Sequence, residues 1–109
     1  MPHFKKIFST PKTDHYFFGY YEKSPLSFDN SKILAHRVEF IDRLPQATDK
    51  CDVGYFNLEN PGKFIKVQST NAFNWQQGSM LQWVGPDFSR RIIFNDFDHY
   101  KNKFISKIV

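Results

Sequence analysis

Two short clusters in the chain place aromatic rings beside amide and charged side chains: Tyr20-Tyr21-Glu22-Lys23 and Trp75-Gln76-Gln77. Ring faces stack on the apolar faces of a sugar, while amides, carboxylates and ammonium groups meet its hydroxyls. Both clusters are therefore candidates for binding an oligosaccharide. The competing reading is structural, with Tyr20, Tyr21 and Trp75 packed between sheets and the polar groups capping loops. A third candidate is His36-Arg37, with Glu39, Asp42 and Arg43 just beyond. Beside an acidic sugar, a histidine can abstract a proton while an arginine neutralises a carboxylate. Alternation along a strand sends neighbours to opposite faces, however, so the two cannot easily address one substrate atom. Pairing of either residue with Asp42 or Glu39 is the structural alternative, and no catalytic residue is assigned. Asp96-Phe97-Asp98-His99 contains metal-ligating residue types, but acidic turns of this kind are common between strands, and neither a metal nor a cofactor is expected. Cys51 has no visible catalytic partner, and the chain contains no phosphate-cradling glycine loop and no nucleophile elbow.

The elements that must position these residues are strands. The chain has 109 residues, of which 13 are Phe, 5 Tyr and 2 Trp, while Ala occurs three times and Leu five. The apolar residues that favour helices are scarce, and those that favour strands are plentiful. Alternation and turn chemistry predict strands over 24–28, 33–38, 52–58 and 63–69, turns at Asp29-Asn30-Ser31-Lys32 and Glu59-Asn60-Pro61-Gly62, and a loop from Ile41 to Lys50. In the second turn Pro61 fixes φ and Gly62 is expected to supply a positive φ. The segment His15 to Tyr21 is nearly all aromatic, with Gly19 suited to a bulge or a close backbone approach.

Four strands in sequence order make an antiparallel meander, and the pattern then restarts. Strands are predicted over 78–84, 91–95 and 102–109, with a turn at Gly85-Pro86-Asp87-Phe88-Ser89-Arg90. Ile33-Leu34-Ala35-His36 falls on Ile92-Ile93-Phe94-Asn95 at a spacing of 59 residues, with Asp29 one place off from Asp87. Four-strand units repeating at roughly 40 to 50 residues are the mark of propeller blades, the extra spacing being taken up by the loop at 41–50. The expected fold is all-β, with four-stranded antiparallel meanders forming about one and a half to two blades of a β-propeller. Residues 1–109 make one partial propeller region, with blade 1 at about 22–69, a partial blade 2 at about 78–109 and a candidate closing strand at 4–9. A single antiparallel sandwich fits almost as well. Phe28, Phe56, Phe64, Phe88 and Phe94 are expected to fill the gaps between blades.

The two hairpins, Ser27-Phe28-Asp29-Asn30-Ser31-Lys32-Ile33-Leu34 and Gly85-Pro86-Asp87-Phe88-Ser89-Arg90-Arg91-Ile92-Ile93-Phe94, resemble the degenerate strand-turn-strand repeat of TolB-type β-propellers. The stretches Tyr16 to Pro25, Ala35 to Arg43 and Asn74 to Trp83 are similar to the opening of a group of bacterial propeller proteins of unassigned function. More distantly the chain looks like the oligogalacturonate lyases, seven-bladed enzymes that cleave acidic oligosaccharides by β-elimination with a metal held by His and Gln. That metal cluster lies in later blades, so no position here is matched to it. The resemblance implies the N-terminal fragment of a longer propeller, carbohydrate-related in its full-length form as an oligosaccharide binder or lyase-like enzyme. In a propeller the loops entering the first strands form one mouth of the channel. Tyr20, Tyr21, Glu22, Lys23, Trp75, Gln76 and Gln77 are then expected to converge there, with His36 and Arg37 as further substrate-binding candidates.

Bulk properties narrow the partners. The net charge is +4, with 15 basic and 11 acidic residues interspersed, so no nucleic-acid stripe is present. The single cysteine excludes an intrachain disulfide and a multi-cysteine metal site. No apolar run approaches the roughly 20 residues of a spanning helix. The expectation is a soluble, cytoplasmic protein whose partners are an oligosaccharide and whatever covers its open strand edges, either missing blades or further copies of itself. Two other functional classes stand beside this: a non-catalytic interaction scaffold, and a self-contained small β-domain. Open edges count against the last unless an oligomer covers them.

Overall fold

The computed structural model describes residues 14–20, 23–40, 42–46 and 48–109. Among them are seven strands: β1 (His15–Phe17), β2 (Lys32–Val38), β3 (Cys51–Asn57), β4 (Asn60–Thr70), β5 (Gln82–Val84), β6 (Arg91–Asp98) and β7 (Lys103–Ile108). They form a four-stranded sheet in the order β1-β2-β3-β4 and a three-stranded sheet in the order β5-β6-β7, every pair antiparallel. The described residues contain no helix long and apolar enough to cross a membrane. The all-β meander expected from the sequence is therefore present.

Several boundaries differ from the sequence reading. The first edge strand is His15–Phe17, and the stretch 24–28 contributes only a bridge between Leu26 and Ile33. Both pieces line the same edge of β2. In the second sheet, 78–84 shortens to Gln82–Val84, because Met80 adopts a positive φ of 55° and breaks the extended run. Pro61 and Gly62 already belong to β4, and the reversal is made by Leu58 and Glu59; Gly62 is not among the positive-φ residues. Pro61 is tolerated because β4 is an edge strand, where a missing N–H need cost no ladder bond. Phe28 and Phe88 are turn residues, 81% and 49% exposed, while Phe56, Phe64 and Phe94 are buried. The expected closing strand at 4–9 lies outside the described residues.

The two sheets stack on each other through Leu34, Val53, Leu81, Trp83, Ile92 and Phe94. A second cluster of Ala35, Phe56 and Phe64, with Tyr16 and Ile33, occupies the opposite face of the first sheet. The pairing registers fix which residues share a face. In the first sheet, Ile33, Ala35, Arg37, Asp52 and Phe56 form one face, and Leu34, His36, Val53 and Tyr55 the other. At the 59-residue spacing these β2 faces correspond to Ile92, Phe94 and Asp96, and to Ile93, Asn95 and Phe97.

The direction of the backbone bonds supports this correspondence. The amide groups of Leu34 and Asn95 point to the inner neighbour, at Pro25 and Ser79, while those of Ile92 point outward to Val109. For strands running the same way, L-stereochemistry then puts Ile33 and Ile92 on the same face. Yet Ile33 faces away from the second sheet, and Ile92 faces the first. The sheets therefore stack head to tail, the second face of one against the first face of the next. The β2 and β6 turns follow the same repeat. Ser31 and Ser89 each donate a backbone N–H to the aspartate two residues earlier, and the intervening Asn30 and Phe88 have φ values of 63° and 53°. The turns also touch, Phe28 N–H donating to the Phe88 carbonyl at 3.1 Å.

Candidate functional site

Two chain reversals meet at the inner edge of the stacked sheets. Gly19, at φ 86°, lies so close to the backbone of Gln76, Gln77 and Gly78 that a Cβ there would sit 3.1 to 3.3 Å from their main-chain atoms. Only glycine permits that approach and that φ together. The contact brings the half-buried Tyr20 and the exposed Lys23 to the same region as the exposed Gln76 and Gln77. The turn at 74–78 is held by the Asn74 side chain, whose Oδ1 accepts from the Gln76 and Gln77 N–H groups at 3.0 and 2.7 Å. Neither Gln76 nor Gln77 spends its side-chain amide on a partner among the described residues. Tyr21 and Glu22 lie outside those residues.

Trp75 is built in more firmly. Its ring meets Phe17, Phe40 and Phe73 edge to face at centroid distances of 5.3, 5.4 and 5.8 Å. Its Nε1–H donates to the Arg43 carbonyl at 2.9 Å. Arg43 in turn lies 3.8 Å from the Phe40 ring centroid and grips Asp49 with both terminal nitrogens, at 2.6 and 2.9 Å. That guanidinium, with the Gln46 N–H, holds the Asp49 carboxyl at about 2. Trp75 thus joins Phe40 and Arg43 to the turn entering the second sheet.

His36 is fully buried at 0% exposure. Its Nδ1 lies 3.3 Å from the Phe17 carbonyl, which only accepts, so Nδ1 carries the proton. Nε2 then accepts from Ser79, from the hydroxyl at 2.7 Å and from the backbone N–H at 3.0 Å. The Phe17 ring stacks on it at 4.8 Å, and Gly78 leaves the space that its ring fills. Burial drives its pKa down from 6.5 to about 4. A neutral imidazole with both nitrogens engaged cannot reach a solvent-borne substrate. Its visible work is to join the two sheets.

Arg37 is on the opposite face, as alternation requires. Its partner is Asp52, directly across the strand pair at 2.8 Å, and not Asp42 or Glu39. Lys66 adds a second cation to Asp52 at 3.4 Å. The Asp96 to His99 stretch is likewise spoken for. Asp96 meets Lys107 at 2.8 Å and Thr70, Asp98 caps the Tyr100 and Lys101 N–H groups, and His99 contacts Asn71. No group of three or more metal-ligating side chains occurs among the described residues. Cys51 is buried, and burial raises its thiol far above the ordinary range, so it is not a nucleophile in this state.

Of the candidates named from sequence, the fold brings Tyr20, Lys23, Trp75, Gln76 and Gln77 to one region, buries His36 beneath it against Gly78 and Phe17, and puts Arg37 on the opposite face of the first sheet. The groups that sequence reasoning missed are Phe40, the Arg43 carbonyl, Gly78 and Ser79. Only Gly19 was marked by its type, as a glycine within an aromatic run. Comparison of the chain with protein-family models, curated proteins and solved structures gave no match.

Proposed function

We propose that this chain supplies two successive blades of a β-propeller and binds an oligosaccharide at their inner edge. Head-to-tail stacking supports the propeller over the sandwich, because two sheets closed on each other would leave no equivalent faces to continue the series. A propeller continues by stacking each sheet on the next in the same sense. The observation that carries the binding reading is the Gly19 contact with residues 76–78, which gathers a phenol, an ammonium and two carboxamides that have no partner among the described residues beside a rigidly held indole. Such groups satisfy sugar hydroxyls in several directions at once. Binding is favoured over a lyase-like reaction, since the imidazole at position 36 is sealed from solvent.

Titration calorimetry with neutral and acidic oligosaccharides tests this, using wild type and the Gln76→Ala/Gln77→Ala pair. The expected result is binding by wild type and its loss in the double variant, with stability changed by less than about 0.5 kcal/mol, as for exposed side chains. Failure to bind any oligosaccharide, or retention of binding in the double variant, refutes the reading. The second reading, a propeller acting only as an interaction scaffold, is favoured by the caging of Trp75, whose N–H is already used. It predicts that Trp75 substitutions affect stability and no ligand.

A further inference from the structure

A groove of about 620 Å³ opens where the loop at 45–46 and the connection at 71–78 meet β6 and the first half of β7. Its walls are tied to one another. Asn71 donates from Nδ2 to the Asp49 carbonyl at 2.7 Å, and the Asp49 carboxylate accepts the Gln46 N–H at 2.7 Å. Thr70 donates its hydroxyl to the Asn95 carbonyl at 2.6 Å, and the Asn95 N–H donates to the Ser79 carbonyl at 2.7 Å. The main chain around the groove is therefore set before any ligand arrives. Four carboxamides along it keep bonding capacity in hand. The Gln46 and Gln77 amides and the Nδ2 groups of Asn74 and Asn95 have no partner among the described residues. Asn74 and Asn95 commit only Oδ1, the first to the Gln76 and Gln77 N–H groups and the second to the Ser106 hydroxyl. Phe73, Met80 and Phe104 make the apolar part of the lining, and Phe104 is 74% exposed.

We infer that this groove takes an uncharged oligosaccharide, and that the binding edge at Gln76 and Gln77 continues through it from Gln77 to Gln46, Asn95 and Phe104. The inference rests on the oligosaccharide reading above and adds to it the charge of the ligand and the residues that select it. A carboxamide offers a donor and an acceptor side by side, and neighbouring hydroxyls on a pyranose offer the same, so each amide can meet two hydroxyls. The exposed Phe104 ring gives the apolar face of a sugar a surface to lie on. Charge decides between sugars. No described residue lining the groove is ionisable. Arg43 and Lys107, on the adjoining loop and strand, are already paired with Asp49 and Asp96. A uronate carboxylate entering here would shed water without gaining a cation, which is costly, whereas hydroxyls exchange water for amides on nearly even terms. An extended peptide is taken up mainly through the main chain of a strand edge. Here the polar atoms on offer are side-chain amides.

Titration calorimetry of the chain against neutral oligosaccharides of glucose and of xylose, and against oligogalacturonate, at low and high salt, tests this. A neutral oligosaccharide should bind about tenfold or more tighter than oligogalacturonate, with an affinity that salt leaves unchanged. Gln46→Ala and Phe104→Ala should each weaken that binding by about tenfold. Both side chains are exposed, and the Gln46 N–H keeps its bond to Asp49 in the alanine variant, so urea unfolding should be unaltered. A variant that does lose stability is replaced by Gln46→Ser or Phe104→Leu. Tighter binding of oligogalacturonate, weakened by salt and by the Gln76→Ala/Gln77→Ala pair, overturns the neutral groove and leaves the oligosaccharide edge standing. Neutral binding that survives either groove substitution undiminished does the same. Binding of no oligosaccharide overturns both readings, whether or not a peptide binds in its place.

Discussion

Acidification should weaken this protein through one residue, His36. In the folded chain its pKa is about 4 against 6.5 for a free imidazole, burial being the main cause. Between those values the unfolded chain binds a proton that the folded chain refuses. Stability is therefore complete above pH 6.5, falls as the pH drops toward 4, and loses nothing more from this group below that. At about 1.4 kcal/mol per pH unit the full loss is about 3 kcal/mol, a large share of the roughly 5 to 15 kcal/mol of a typical domain. The ring geometry gives the reason. A protonated Nε2 would face the Ser79 N–H, donor against donor. Urea unfolding from pH 7.5 to 4 measures the effect, with His36→Gln as the control that cannot titrate. Asp29 and Asp49, both lowered to about 2, do not confuse the window, since the stability they add is lost mainly below pH 4. A wild-type slope between pH 6.5 and 4.5 no steeper than that of His36→Gln would refute the reasoning, as would a folded-chain imidazole resonance that titrates near 6.5 and is assigned to His36 by its absence from His36→Gln.

Two further substitutions probe the same junction. Gly78→Ala combines a positive φ of 61° with a methyl overlapping the His36 ring, and should cost about 2 to 4 kcal/mol by thermal or urea unfolding. Trp75→Phe keeps an aromatic among Phe17, Phe40 and Phe73 but loses the bond to the Arg43 carbonyl, for about 1 kcal/mol. Trp75→Ala empties the cage and should cost about 3 kcal/mol; equal losses in the two variants would show that the hydrogen bond, not the packing, dominates.

What the sequence revealed and what it hid have separate physical causes. Strands β2 and β3 were legible because each buries both faces against different neighbours and is bounded by strong turn residues, and the opposition of His36 and Arg37 followed from pleat alone. Strand β1 was not. His15-Tyr16-Phe17 sits in an aromatic run with no alternation, so periodicity carries no information about where extension begins. The Arg37 partner was hidden because Asp52 is 15 positions away and becomes adjacent only through register, whereas Asp42 and Glu39 are near in sequence alone. The same holds for Trp75, whose hydrogen bond goes to a backbone carbonyl that no residue type advertises. Gly78 and Ser79 read as ordinary strand residues until His36 is placed between the sheets.

The repeat is most informative where its chemistry changes. On the first face, the Arg37 and Asp52 pair of the first sheet is answered by Asp96 and Lys107 in the second, with the charges exchanged between strands. Asp96 is covered by the first sheet and is buried. Burial opposes its charge, and Lys107, the Phe97 N–H and Thr70 together keep its carboxyl below the usual range. Arg37 and Asp52 are still partly open, but are already paired with each other and with Lys66. On the second face, His36 is answered by Asn95, a residue that does not titrate. Mild acid should then loosen the contact between the two sheets through His36, which bonds Ser79 across it, whereas Asn95 brings no such dependence to the equivalent position of the second sheet.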